Sequence, residues 1–341
     1  MNEADPLEGV HHGGALVAAC AEFGGAPQDW LDLSTGINPI PIVLPEFDAS
    51  VWQRLPDDDL RSTASAAAAA YYGTADRVLP LPVAGTQSAI QLLPGLFDGR
   101  VAVFGPTYEE FRFCFERVGR AVDIISVPEQ IVDHHKLVIA VNPNNPDGRI
   151  LKRDAILALC EERAQTGGYV VVDEAFADAQ TDESVAAMAG QIHNLVVLRS
   201  FGKFFGLAGL RLGFVLAAPA ILHRMQAAQG PWAVSGPALA LAARVLNDPS
   251  LCAKNRTAIG ERNLALRTVL QASGLRIVGG TPLFALVRHK RAADLYRLLC
   301  GHRILTRSFA YEPQWLRIGL APDASGDARL RAALADIRLA E

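Results

Sequence analysis

The sequence predicts an α/β chain: a mostly parallel sheet covered by helices, followed by a smaller C-terminal α+β unit. Three observations lead there. Between Pro80 and Leu216 short apolar runs alternate with helical segments, the pattern of strands buried on both faces. The residues least expected of plain loops stand just after those runs. Beyond Pro231 the pattern changes to long helical stretches and then to strand, helix, strand and helix.

The chain has 341 residues, half of them hydrophobic and 20% charged, a composition that suits a folded protein of two domains. Lys plus Arg is 32 against 36 for Asp plus Glu, a net charge of −4. So even a balance leaves no electrostatic footprint for nucleic acid or an anionic membrane, and neither is expected as a partner. The five cysteines (Cys20, Cys114, Cys160, Cys252, Cys300) are widely spaced and contain no C-x-x-C, which argues against a disulfide framework or a zinc cage. The opening Met1-Asn2-Glu3-Ala4-Asp5 is acidic where a secretory signal would be basic. The longest apolar stretch, Leu212 to Leu222, falls short of the roughly 20 residues a membrane helix needs. A reducing cytoplasm is the expected compartment.

Taken in order, residues 1–35 show no obvious element and read as an arm. Leu60, the alanine run Ala66–Ala70 and Tyr71-Tyr72-Gly73 read as a helix closed by glycine. Val101–Phe104, Leu137–Val141, Tyr169–Val172, Leu195–Leu198 and Gly213–Leu216 read as strands, with Tyr108–Val118 and Arg153–Gln165 as crossover helices. The large domain is placed at 36–225 and the smaller one at 226–341. The smaller begins with helices over Ser235–Leu246 and Ala253–Ser273 and ends with Arg276–Val278, Ala292–Leu299, Trp315–Leu320 and Ala328–Ala340.

In such a sheet a ligand lies at the carboxyl ends of the strands. Val83-Ala84-Gly85-Thr86-Gln87-Ser88 turns from strand to helix, where free amides and the helix dipole bind a phosphate; most such turns only cap a helix. Tyr108 stands just past the next strand, where it can stack on a planar ring or simply pack. Asn142-Pro143-Asn144-Asn145-Pro146-Asp147-Gly148 holds more asparagine than a turn requires. Asp173 and Glu174 end an apolar strand; a buried carboxylate needs a cation, and without histidines at ligand spacing a cationic ring nitrogen fits better than a metal. Asp173 continues the strand into the site, and Glu174 faces the other way. Ser200-Phe201-Gly202-Lys203 offers an amine nucleophile in apolar surroundings. A nucleotide P-loop is excluded because the G-x-x-x-x-G-K-[S/T] spacing is absent. Ser200 and Arg211 read as further phosphate ligands.

The succession of phosphate turn, aromatic, asparagine loop, aspartate, lysine and arginine resembles the fold-type I pyridoxal-phosphate enzymes. Within them it is similar to the branch that holds histidinol-phosphate aminotransferases and threonine-phosphate decarboxylases. The resemblance runs over nearly the whole length and rests on Asn-Pro-Asn-Asn-Pro, Asp-Glu-Ala-Phe and Ser-x-x-Lys followed by Gly-Leu-Arg-Leu-Gly. It implies pyridoxal 5'-phosphate as cofactor, Lys203 as its Schiff-base lysine, Asp173 at the pyridine nitrogen, Asn145 at the ring hydroxyl and Tyr108 over the ring. Gly85, Thr86, Gln87, Ser200 and Arg211 would hold the cofactor phosphate. Arg317 matches the arginine for the substrate carboxylate.

Phe176 stands where many aminotransferases have a tyrosine, Asp147 replaces the usual threonine, and Leu55 stands where they place a tyrosine reaching the neighbouring subunit. His11-His12-Gly13-Gly14 and Ile37-Asn38-Pro39 are similar to segments of the cobalamin-pathway decarboxylases. His12, Asn38 and either Arg303 or Arg307 are therefore the expected anchors of a phosphorylated substrate, whereas His134-His135 reads as a solvated pair. The resemblance implies a homodimer acting on a phosphorylated amino acid. Decarboxylation of O-phosphothreonine and transamination of histidinol phosphate both remain open. A non-enzymatic relative would be expected to lack Lys203 or Asp173, and both are present.

Overall fold

The computed structural model describes residues 13–75 and 77–335. His12, expected at the substrate, lies outside the described residues, as does the end of the helix expected to reach Ala340. Two compact units form, one of residues 37–261 with 280–283 and the other of 13–36, 262–279 and 284–335. No helix among the described residues is long and apolar enough to cross a membrane.

The larger unit is built on a seven-stranded sheet in the order Leu81–Val83, Gly213–Ala217, Leu195–Ser200, Tyr169–Asp173, His135–Val141, Arg100–Phe104, Val122–Ile125. Neighbours are parallel except at Gly213–Ala217, which runs antiparallel to both its partners. All five strands read from the sequence are present. Leu81–Val83, the short strand that leads into the Gly85 turn, and Val122–Ile125, an edge strand half open to solvent and broken by Asp123, complete the sheet. The central strands are buried along nearly their whole lengths, as strands covered by helices on both faces must be. Register then sets the site. Val141 lies opposite Asp173, Asp173 opposite Leu198, and Ser200 opposite Gly213, so the loops after these strands open at one level.

The alanine-rich helix runs Asp58–Tyr72, capped by the Asp57 carboxylate at its start and by Gly73 in the left-handed region at its end. Gly236–Leu246 packs along it with an apolar face of Ala238, Leu239, Leu241, Ala242 and Val245. That packing moves the division expected at residue 225, because it draws residues 226–261 into the larger unit.

In the smaller unit a four-stranded antiparallel sheet runs in the order Arg307–Ser308, Trp315–Gly319, Phe284–Arg288, Arg276–Thr281. The N-terminal segment is not a bare arm. Leu16–Phe23 is a helix, and Leu31–Asp32 pairs in parallel with Ile304–Leu305. Ala19 and Trp30 are buried with Cys300 and Leu305, and Phe23 packs against them, which anchors residues read as unstructured.

Candidate active site

The Thr86–Leu96 helix begins at Gly85, whose φ of +76° is the left-handed backbone that glycine accepts most readily. A Cβ at Gly85 would lie 2.7 Å from a terminal guanidinium nitrogen of Arg211, and one at Gly213 would lie 2.9 Å from the Thr86 nitrogen. Two glycines thus let a guanidinium and a helix start converge, and the cradle suits a phosphate. Ser200 is buried at the adjoining strand end.

The Gln87 side chain holds its neighbours in place. Its Oε1 accepts from the Tyr108 hydroxyl at 2.9 Å and its Nε2 donates to the Glu110 carboxylate at 2.6 Å. Only the Gln87 main-chain amide remains with the phosphate turn; the side chain fixes Tyr108. Glu110, buried and bonded also by Gln91 at 3.0 Å, was not visible in the sequence, where it reads as an ordinary first-turn acid.

In the asparagine loop, Asn142 bonds Leu151 through both its amide groups, at 3.1 and 2.9 Å. Asn144 accepts from Thr107 at 2.6 Å and donates to the Pro106 carbonyl at 2.9 Å and to Asp147 at 2.7 Å. Asp147 therefore braces the loop in place of the threonine, and Asn145 is half-buried within it.

Asp173 and Glu174 have different partners. Glu174 is wholly buried and pairs with Arg199 at 2.6 Å, which also pairs with Asp178. Asp173 accepts from the Ala175 amide at 3.0 Å. Burial pushes its pKa up to about 7, against the lowering effects of that hydrogen bond and of the Lys203 ammonium. The folded chain without cofactor therefore holds an extra proton between the ordinary aspartate value and about 7, and this contribution to stability is lost as pH rises through that window. We expect the melting temperature of the cofactor-free protein to fall between pH 5 and pH 8 by more than that of Asp173→Asn. Parallel pH curves for the two proteins would contradict the burial argument.

Lys203 is half-buried, with Nζ 5.8 Å from the centroid of the Phe176 ring. Phe176 thus supplies an aromatic face, without a hydroxyl, beside the amine. Asn38 lies against the lysine turn, but its carboxamide is committed there. Nδ2 donates to the Phe204 carbonyl and to Asn255 Oδ1, both at 3.0 Å, and Oδ1 accepts from Ile40 at 3.0 Å. With both donors used and the residue buried, Asn38 supports the turn and does not offer the substrate contact expected of it.

Within the smaller unit, Arg307 and Arg317 are partners across the strand pair. Arg317 is buried, its guanidinium 5.0 Å from the Phe284 ring centroid and 2.5 Å from the Ser34 carbonyl. Burial, and next the Arg307 charge, pull its pKa down to about 10. Two such cations suit an anionic ligand. Arg303 is paired with Asp29 at 3.7 Å and covers Gly25.

Among the described residues one group could ligate a metal: Asp123, His134 and His135. His135 is not solvated as expected but buried, because it opens a central strand. Its Nδ1 accepts from the Val132 amide at 3.0 Å, so Nε2 carries the proton and faces Asp123 at 2.7 Å. Asp123 is also held by Arg100, and these two partners keep its carboxyl below the usual range. A protonated Nε2 is no ligand, and His135 reads as a hydrogen-bonded bridge between strands.

The aminotransferase class I and II family matches residues 29–334. The chain is 51% identical to a threonine-phosphate decarboxylase of Sinorhizobium sp., over 97% of this chain and 99% of that protein. It is 41% identical to a threonine-phosphate decarboxylase of Pseudomonas aeruginosa, over 95% and 97%. A solved histidinol-phosphate aminotransferase from Clostridium acetobutylicum shares the fold, with a TM-score of 0.80 at 21% identity over 91% of this chain and all of that one.

Proposed function

Because the chain belongs to the aminotransferase class I and II family, we propose that it is a pyridoxal-phosphate-dependent threonine-phosphate decarboxylase. It would convert L-threonine O-3-phosphate to (R)-1-aminopropan-2-yl phosphate and carbon dioxide, a step of cobalamin biosynthesis. The observation that carries this reading is 51% identity, over 97% of the chain, to a protein of that name.

The residues present fit the cofactor. The cradle of Gly85, the Thr86 and Gln87 amides, Ser200 and Arg211 would hold its phosphate, and a Cβ at Gly85 would collide with the guanidinium that completes it. Tyr108, its hydroxyl fixed by Gln87, would stack on the ring, and Asn145 would bond the ring hydroxyl. When bound, pyridoxal phosphate supplies an electron sink for the pair left behind as a bond at the substrate Cα breaks. Asp173, ionised beside a ring cation, would keep the ring nitrogen protonated. The Lys203 amine would hold the cofactor and, after carbon dioxide has left, return a proton to Cα. Arg317 would bind the substrate carboxylate and Arg307 its phosphate. Anchoring a substrate at both groups decides which Cα bond is broken, since that choice depends on how the substrate is held.

The purified protein is expected to release carbon dioxide and aminopropanol phosphate from O-phosphothreonine with no 2-oxo acid, and to act little on threonine. Transamination of histidinol phosphate, with no carbon dioxide from phosphothreonine, would move it to the aminotransferases instead. Five free thiols, four of them buried, support a cytoplasmic location. The exposed apolar side chains Val43, Leu44, Trp52 and Leu55 support a homodimer, and an active monomer in light scattering would rule the dimer out.

A further inference from the structure

The helix that carries Lys203 is four residues long, Phe201–Phe204, and so short a helix does not hold itself in water. Its terminal carbonyls need partners from outside. The Asn38 amide donates to the Lys203 carbonyl at 3.0 Å, and the Ile42 amide to that of Phe205 at 3.2 Å. The Phe204 carbonyl accepts from two side chains, Asn38 Nδ2 at 3.0 Å and Asn255 Nδ2 at 2.7 Å. Asn255 Oδ1 in turn accepts from Asn38 at 3.0 Å, which closes the three groups into one buried network. Gly206, at φ +72°, lets the segment lie this close, since a Cβ there would stand 2.7 Å from Pro41 Cα.

Arg256 follows Asn255 on the Pro249–Ala272 helix and places its guanidinium 5.4 Å from the Phe204 ring centroid. It is itself held by the Asp178 carbonyl at 2.8 Å and the Tyr71 hydroxyl at 3.2 Å. Consecutive residues of one helix thus grip Phe204 by its main chain and by its ring.

We infer that Asn255 and Arg256 are positioning residues for Lys203, fixing through Phe204 the turn from which the amine projects. This rests on Lys203 being the amine that takes the cofactor. A displacement of about 1 Å at a reacting group can cost on the order of a hundredfold in rate, so a clamp of this kind has a kinetic signature. Were the two side chains only cementing a helix to a loop, their loss would lower the melting temperature and leave the lysine's reactivity unchanged.

The test uses the full-length chain stripped of cofactor and mixed with pyridoxal 5'-phosphate. Uptake is followed by visible absorbance and by borohydride trapping with peptide mass spectrometry. Asn255→Asp keeps the shape but turns an acceptor toward the Phe204 carbonyl. Its rate of covalent uptake at Lys203 is expected to fall about tenfold or more, with kcat falling in step and KM for O-phosphothreonine within about twofold of the wild type. Arg256→Lys, which keeps the charge and loses the planar fork, is expected to fall about threefold, and it carries the test alone if Asn255→Asp does not fold. Asn247→Ala removes an exposed amide bond of 2.8 Å on a nearby helix end and is expected to change nothing. Wild-type uptake in Asn255→Asp and Arg256→Lys, or an equal fall in Asn247→Ala, would overturn the inference. A wild-type chain with no pyridoxyl group on Lys203 would overturn the proposed function instead.

Discussion

Lys203→Ala is expected to abolish turnover, lowering kcat by roughly 10³–10⁴-fold or more, because one amine both holds the cofactor and moves the proton at Cα. That loss corresponds to about 4–5.5 kcal/mol of barrier, more than any other single side chain in the site is expected to supply. The fold should survive, since Lys203 is half-buried and the main-chain carbonyls of its turn are held by Asn38, Ile42 and Asn255. Borohydride reduction of the wild type, digestion and mass spectrometry should place the pyridoxyl group on Lys203. A group on Lys136 or Lys152 would end this assignment, as would substantial carbon dioxide release by the variant. Lys136 is bonded to the Thr166 carbonyl at 2.8 Å and Lys152 to Glu183 at 2.8 Å, so neither stands at a strand end of the site.

Arg199→Met should have the largest effect on stability. Arg199 lies between Glu174 and Asp178, all three almost fully buried, with its guanidinium 4.6 Å from the Tyr72 ring centroid. Burial acts to lower its pKa, yet Asp178 and Glu174 raise it above the usual guanidinium value. Removing the cation leaves two carboxylates in the interior without their common partner, a change that costs about 3–5 kcal/mol. Glu174 keeps Ser184 Oγ at 2.5 Å and the Val185 amide at 2.7 Å, but hydrogen bonds do not neutralise its charge. Replacing all three by Gln, Asn and Met should restore part of the loss, since the uncompensated charges go with the cation. Urea unfolding measures both, and a loss below about 1 kcal/mol in the single variant would refute the charge argument.

The central sheet was legible because strands buried on both faces leave continuous apolar runs, and the candidate residues stood out because Asp173 and Lys203 stand where such runs end and Arg211 just before one begins. The edge strand Val122–Ile125 was not, being short, half-exposed and broken by Asp123, nor was the helix Leu16–Phe23, whose residues are too nearly all apolar to show a helical period. Phe284–Arg288 was passed over although it is apolar, because the next residues after Arg276–Val278 were read as leading to a helix. Among the candidate site residues, the charged ones stood out by their type. Asn38 was found by position but with the wrong task, because an amide's task depends on which neighbours it meets, and those come from distant parts of the chain. Glu110 and Asn255 carried no local signal at all; each is one polar residue on an otherwise ordinary helix.

The network around Phe204 joins residues 38, 204 and 255, and the first two of these are 166 positions apart. Loop-closure entropy grows only as the logarithm of such a span, so distance along the chain adds little to its equilibrium cost. Its effect is on sequence of events. During synthesis the lysine and the asparagine-rich loop leave the ribosome before Asn255 does, and until then the Phe204 carbonyl lacks one of its two side-chain donors. Contacts of long separation are also the slow ones to form. With Asn255 as a positioning residue, the turn that carries Lys203 is completed only after residue 255, about three-quarters of the way along the chain, has been made, which ties it to the completion of the larger unit.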